Sequence, residues 1–120
     1  MKKVIATSEA PKAVGPYSQA IEVNGTLYIS GQIPVNPADG TVQEEITAAA
    51  HQSLKNIGAI LREAGMTYDN VVKTTVLLAD IADFKAVNEV YAEYFTGDKP
   101  ARACYQAAAL PLGVKVEIEA

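Results

Sequence analysis

Val71-Val72-Lys73-Thr74-Thr75-Val76-Leu77-Leu78-Ala79 is a run of β-branched and aliphatic residues broken by one charge. It is apolar on both parities, which predicts a central strand covered on both faces. A helical period lies on either side of it. Upstream, Ile46, Ala50, Leu54, Ile57, Leu61 and Ala64 recur at three- and four-residue spacing. Thr41 with Glu44 three residues later predicts a capping box, and Gly65 falls just past the helix end. Downstream, Asp80 predicts the cap of a second helix with Phe84, Val87, Tyr91 and Tyr94 along one face and Gly97 beyond its end. Farther out, Ser18 to Val23 and Thr26 to Ser30 read as strands around Asn24-Gly25, a two-residue hairpin signal. A loop punctuated by proline and glycine runs from Gly31 through Gly40. Ala101 to Ala109 and Val114 to Glu119 read as two more strands, joined by Leu110-Pro111-Leu112-Gly113. The order is strand, strand, helix, strand, helix, strand, strand. It predicts an α/β (α+β) sandwich, a mixed sheet with both helices on one face.

At 120 residues the chain is one domain, 1–120, with no linker, charge block or repeat to divide it. The inventory of reactive side chains is short: Cys104, His51, Arg62 and Arg102, and no tryptophan. A disulfide within the chain is excluded, and a zinc site of the Cys/His type lacks ligands. Any triad would have to pass through His51, which lies on the first helix and reads as structural. Net charge is −4 and the longest basic run is Lys2-Lys3, which argues against a nucleic-acid partner. No apolar run approaches the roughly 20 residues of a membrane span, and Val4-Ile5-Ala6 is too short for a signal-peptide core. With one free cysteine, the expected setting is the reducing cytoplasm.

Two helices cover one sheet face and leave the other bare. Val114, Val116 and Ile118 share one face of the last strand, opposite Lys115, Glu117 and Glu119. In the preceding strand Arg102, Cys104 and Gln106 oppose Ala101, Ala103 and Tyr105. If the more apolar parity faces the helices, Arg102, Cys104, Glu117 and Glu119 all project from the bare face. Such a surface predicts a homo-oligomer with its site between subunits.

Each candidate carries two readings. Arg102 is either a surface or interface arginine or a bidentate clamp for a carboxylate. Cys104 reads as a small buried apolar residue whose backbone N–H matters more than its sulfur. Glu117 is either a solvated strand residue or, in a partly desolvated interface, a general base for water; it is preferred to Glu119, which lies one residue from the chain end. Ser30-Gly31-Gln32 is turn chemistry or a place where a ligand approaches the backbone. Tyr17, in Gly15-Pro16-Tyr17-Ser18, is a packing residue or a lid. Neither a phosphate loop nor a dinucleotide fingerprint is present.

These stretches carry a resemblance. Gly15-Pro16-Tyr17-Ser18-Gln19-Ala20, Ser30-Gly31-Gln32-Ile33-Pro34, Asp83-Phe84 through Val87-Asn88 and Tyr91, Pro100-Ala101-Arg102-x-Cys104 and Val116-Glu117-Ile118-Glu119 follow one another over nearly the whole chain. In that order and spacing the sequence resembles the reactive intermediate (imine/enamine) deaminases, or Rid proteins, and through Arg102 and Cys104 their A branch. The resemblance implies a chorismate-mutase-like fold, a homotrimer with sites between subunits, and no cofactor or metal. It implies hydrolysis of 2-imino acids such as 2-iminobutanoate and 2-iminopropanoate to 2-keto acids and ammonia, which clears by-products of pyridoxal-phosphate-dependent dehydratases. Arg102 would then hold the substrate carboxylate, the backbones of Gly31 and Cys104 would help hold the ligand, and Glu117 would position or deprotonate water. Tyr17 and Ser30 would line the cleft with Asn88 in support. Two rivals stand beside this reading: a 2-keto acid sensor without turnover, using the same Arg102 pocket, and a ribonuclease or translation inhibitor, which the acidic charge and single histidine disfavour.

Overall fold

In the computed structural model, which describes residues 1–120, the run that opened the reading is β4 (Lys73–Leu78). The other elements are β1 (Lys3–Ile5), β2 (Ala20–Val23), β3 (Thr26–Ile29), α1 (Ile46–Glu63), α2 (Phe84–Tyr94), β5 (Ala101–Gln106) and β6 (Val116–Glu119). β4 lies between β5, which is parallel to it, and β6, which is antiparallel. Thr74, Val76 and Leu78 are buried under the helices, while Lys73, Thr75 and Leu77 face the other way and are at least partly exposed. The expectation of a strand covered on both faces therefore holds on one face only of the single chain.

β1, β2 and β3 form an antiparallel ladder. The β2–β3 turn has Asn24 at φ 51° and Gly25 at φ 77°, the two positive dihedrals of a type I′ hairpin. β1 escaped the sequence reading because three residues carry no period to detect. The two ladders join where Ile29 N donates to Ala120 O (2.8 Å) and Gln32 N donates to Ile118 O (2.8 Å). Between those bonds Ser30 and Gly31 oppose the single residue Glu119, which is a β-bulge.

α1 begins four residues later than the capping-box reading would start it. Thr41 is held by the Asp39 carboxylate, which accepts from both its N–H and its hydroxyl, and Val42 bridges to Val35. Held in that turn and strand bridge, Thr41 stands four residues before the cap position and out of the helix. Glu45 does so instead, accepting from the backbones of Thr47 and Ala48. The C-terminus follows expectation: Gly65 (φ 74°) allows Met66 N to reach Leu61 O and Gly65 N to reach Arg62 O, a Schellman closure. Asp80 caps a 3₁₀ turn, Ile81–Asp83, and α2 follows directly. The core stripe of α2 is Val87, Val90 and Tyr91; Phe84, expected inside, is 40% exposed. A cluster of 19 buried apolar residues fills the space between the helices and one sheet face. No helix is long and apolar enough to cross a membrane.

Candidate active site

The candidate residues fall into two groups that one chain does not bring together. The first sits at the bulge. Glu117 pairs in register with Leu77 and projects from the face away from the helices. Its carboxylate lies over Gly31: a Cβ there would stand 2.3 Å from Glu117 Oε2 and 2.8 Å from Cδ. A side chain at 31 would therefore displace the carboxylate that crosses it. Burial pushes the Glu117 carboxyl above its ordinary value, and the Glu119 charge on the same face pushes it further the same way. Ser30 Oγ donates to Ser18 O (2.6 Å), which pins the segment carrying Tyr17 beside the bulge. Tyr17 is 52% exposed and borders two cavities. One, of about 300 Å³, also touches Gly31 and Leu112; the other, of about 860 Å³, touches Ser30, Thr75 and Glu119.

The second group sits on β5, the edge strand. Arg102 pairs with Thr74 and Cys104 with Val76, and both partners are buried beneath the helices. Arg102 and Cys104 therefore project toward the helix side, opposite Glu117 and Glu119. This corrects the expectation that all four share the bare face. Strand parity is set by register with β4, not by which side of β5 carries more carbon; Ala101 and Tyr105 are exposed. The charge is tolerated there because α2 covers it with aromatic rings. The Arg102 Cζ lies 4.8 Å from the Tyr91 centroid and 5.5 Å from that of Phe84. Asn88 stands on the same stripe of α2, one turn from each of them.

Arg102 has no carboxylate within 4.0 Å; the one contact of that kind in the chain is His51 Nε2 to Glu93 Oε2, at 3.9 Å. Cys104 is half-buried, and burial pushes its thiol up while Arg102 pulls it back, so the sulfur is a protonated thiol near neutrality. Its backbone has a different use. Ala101 N and Ala107 N donate to β4, so the odd-numbered N–H groups of β5 point inward, and those of Arg102 and Cys104 point out from the sheet edge. His51 belongs to neither group: its Nδ1 lies 2.7 Å from Tyr94 Oη on the helical layer. No three His, Cys, Asp or Glu side chains are grouped to hold a metal ion.

The separation can be sized. Arg102 and Glu117 flank β4 on either side, at register positions three residues apart, which puts their Cα atoms roughly 14 Å apart on opposite faces at ~3.3 Å per residue and ~4.8 Å per strand. The sequence reading missed Phe84, Tyr91 and Thr74 as neighbours of Arg102. The available signal is the helical spacing of Phe84, Asn88 and Tyr91, which sets the expected cleft residue Asn88 between two of the aromatics expected along one helix face.

The family described as Endoribonuclease L-PSP matches residues 7–120. The mouse protein named 2-iminobutanoate/2-iminopropanoate deaminase is 57% identical over 121 aligned residues, which take in 100% of this chain and 90% of the relative. The crystal structure of YyfA from Yersinia pestis, described as of unknown function in the conserved Rid protein family, superposes with a TM-score of 0.97 at 50% identity, covering 99% of this chain and 96% of that one. The E. coli protein TdcF, solved with bound serine, has a TM-score of 0.94 at 41% identity and covers 98% and 94%. The chain shares the chorismate-mutase-like α+β fold of these structures.

Proposed function

The chain belongs to the Endoribonuclease L-PSP family, and on that premise we propose that it is a 2-iminobutanoate/2-iminopropanoate deaminase whose site is completed between copies. One copy supplies the edge with Arg102, Asn88 and the outward Cys104 N–H. A neighbour supplies the bulge with Tyr17, Ser30, Gly31 and Glu117. The observation that carries this reading is Arg102 itself, a half-buried cation with no acid beside it, facing away from Glu117, whose carboxyl burial pushes up. A contact of edge on bulge is head-to-tail, so it repeats from copy to copy and forms a ring when its rotation closes. The proposed ring has three copies. The bare face, where Val4, Tyr28 and Tyr105 are each more than half exposed, supplies the apolar surface to bury.

The chemistry asks little of the protein. The 2-imino acid docks its carboxylate on the Arg102 fork, which fixes C2 relative to the neighbour's Glu117. Water adds to C2 as the C=N electron pair moves to nitrogen, and the Glu117 carboxylate takes the proton that water sheds. Returned to nitrogen, that proton completes the carbinolamine; its hydroxyl proton then passes by way of Glu117 to nitrogen, the C2–N bond breaks as C2=O forms, and ammonia and the 2-keto acid leave. A carboxyl pushed above its ordinary value is a stronger base than a solvated one. The lone cysteine fits a reducing, cytoplasmic setting.

The test follows 2-ketobutyrate release from the imine made by a threonine dehydratase. The protein should accelerate release, and Arg102→Ala should abolish the acceleration. If Arg102→Ala clears imine at the wild-type rate, the carboxylate clamp is wrong. If the pure protein binds 2-ketobutyrate without accelerating release, it is a sensor instead.

A further inference from the structure

Resting on the clamp reading above, we propose that Tyr91, braced by Thr74, and Phe84 form an aromatic seat that positions the Arg102 guanidinium for carboxylate capture. Tyr91 is 6% exposed, and its hydroxyl lies 2.7 Å from Thr74 Oγ1. Thr74 is 1% exposed and is the register partner of Arg102 on the adjacent strand. Strand and helix are therefore tied together directly behind the guanidinium. On its other side Tyr91 packs against Phe95, with centroids 4.5 Å apart. Held at its hydroxyl and at its flank, the Tyr91 ring is a fixed wall. Phe84, two turns earlier on α2, is the more exposed wall.

A seat of this kind solves a specific problem. A half-buried cation needs compensation, and the common solution is a carboxylate of the same chain. That carboxylate would occupy the N–H fork and have to be displaced by every incoming substrate. A ring face attracts the cation through its quadrupole and makes no such claim on the fork. The lack of any acid within ion-pair distance of Arg102 and the two rings close to its Cζ are two sides of one arrangement. Tyr91, Phe84 and Thr74 act through Arg102 and need not touch the substrate, so they are positioning residues.

The experiment uses the assembled protein with two probes, 2-ketobutyrate and its neutral amide 2-oxobutanamide, titrated calorimetrically alongside steady-state deamination. Tyr91→Leu and Phe84→Leu should each raise KM and the 2-ketobutyrate Kd by about 3- to 30-fold, the span of one cation–π contact, with kcat changed less. Amide binding should not change. Tyr91→Phe keeps the ring and should restore KM to within about threefold of wild type. Tyr91→Leu and Phe84→Leu that both bind 2-ketobutyrate as tightly as wild type overturn the proposal. So does a loss of keto acid and amide binding in equal measure, which marks a merely structural role. If Tyr91→Leu does not fold, Phe84→Leu decides alone. Arg102→Ala separates the two levels: wild-type 2-ketobutyrate binding by Arg102→Ala overturns the clamp itself, whereas lost binding there with intact binding in both aromatic variants overturns only the seat.

Discussion

Arg102→Ala and Glu117→Gln chains, each dead alone, should rescue each other when mixed. Arg102→Ala removes a bidentate, charge-assisted pair, a loss of about 3 kcal/mol or more and so at least about a hundredfold in kcat/KM. Glu117→Gln removes the base and should cost a similar factor, about 10²–10⁴. The two side chains flank β4 on opposite faces, so in the proposed ring each site would take its arginine from one copy and its carboxylate from the next. In an equal mixture a site is intact when an Arg102-bearing copy meets a Glu117-bearing copy in the right order. Random assembly meets both conditions in about one site in four, whatever the number of copies in the ring. Coexpressed or reassembled mixtures should thus recover about a quarter of wild-type deamination, far above either parent. The doubly substituted chain mixed with wild type is the control: an intact site again needs a wild-type chain at both positions. Recovery no greater than the sum of the parents' residual rates would refute the composite site, since it would place both groups in one chain.

Four further outcomes follow from local geometry. Gly31→Ala sets a Cβ 2.3 Å from Glu117 Oε2, so the carboxylate must swing away; we expect a fall in kcat of about 10²-fold with a smaller change in melting temperature, and equal losses in both would contradict it. The acidic limb of the pH–rate profile should report the Glu117 carboxyl, raised first by burial and then by Glu119, with activity lost as pH falls through it; Glu119→Gln should shift that limb to lower pH. The same shift sets a stability sign. The folded state holds the Glu117 proton more tightly than the unfolded chain, so ionising it costs stability as pH rises above the unfolded value, and Glu117→Gln should melt higher at neutral pH than wild type. Finally, the Tyr68 hydroxyl donates to Leu54 O across Gly58, where a Cβ would lie 2.1 Å from it. Gly58→Ala should cost about 1–3 kcal/mol in urea unfolding, and Tyr68→Phe, which removes the nearest atom but leaves the ring Cζ 2.7 Å from the new Cβ, should recover only part of it.

Much of the fold is legible where local chemistry acts alone. Asn24-Gly25 demands its turn because both residues take positive φ, and Gly65 ends α1 because Met66 N must fold back to Leu61 O. The Val71 to Ala79 run announces a central strand because no exposed element carries so continuous an apolar surface. The misses share a cause, which is competition from neighbouring turns and strand edges that residue type and spacing do not announce. Thr41 looks like a cap until the Asp39 carboxylate takes its N–H and hydroxyl. Phe84 looks like core by spacing, but the 3₁₀ turn Ile81–Asp83 brings it in at the rim. β1 exists only because β2 offers it an edge.

The site shows the same division in a sharper form. The residue types were readable one by one, since an arginine on a strand and a carboxylate among β-branched residues are each anomalous. Their relative placement was not, because the side chain that decides the face of β5 lies on another strand. Arg102 faces the helices since Thr74 does, and no property of Ala101 to Gln106 alone contains that fact. What placed Arg102 and Glu117 together in the sequence reading was a shared parity that the register takes away. The proposed contact between copies would bring them together for a different reason, one that also accounts for each group's isolation. An unpaired guanidinium at the edge and a desolvated carboxylate at the bulge are each costly in a lone chain. Edge and bulge meeting between copies would put the cation within reach of the anionic end of a substrate and the carboxylate beside its C2. The ion pair that the fold withholds from Arg102 is then the one that the substrate completes.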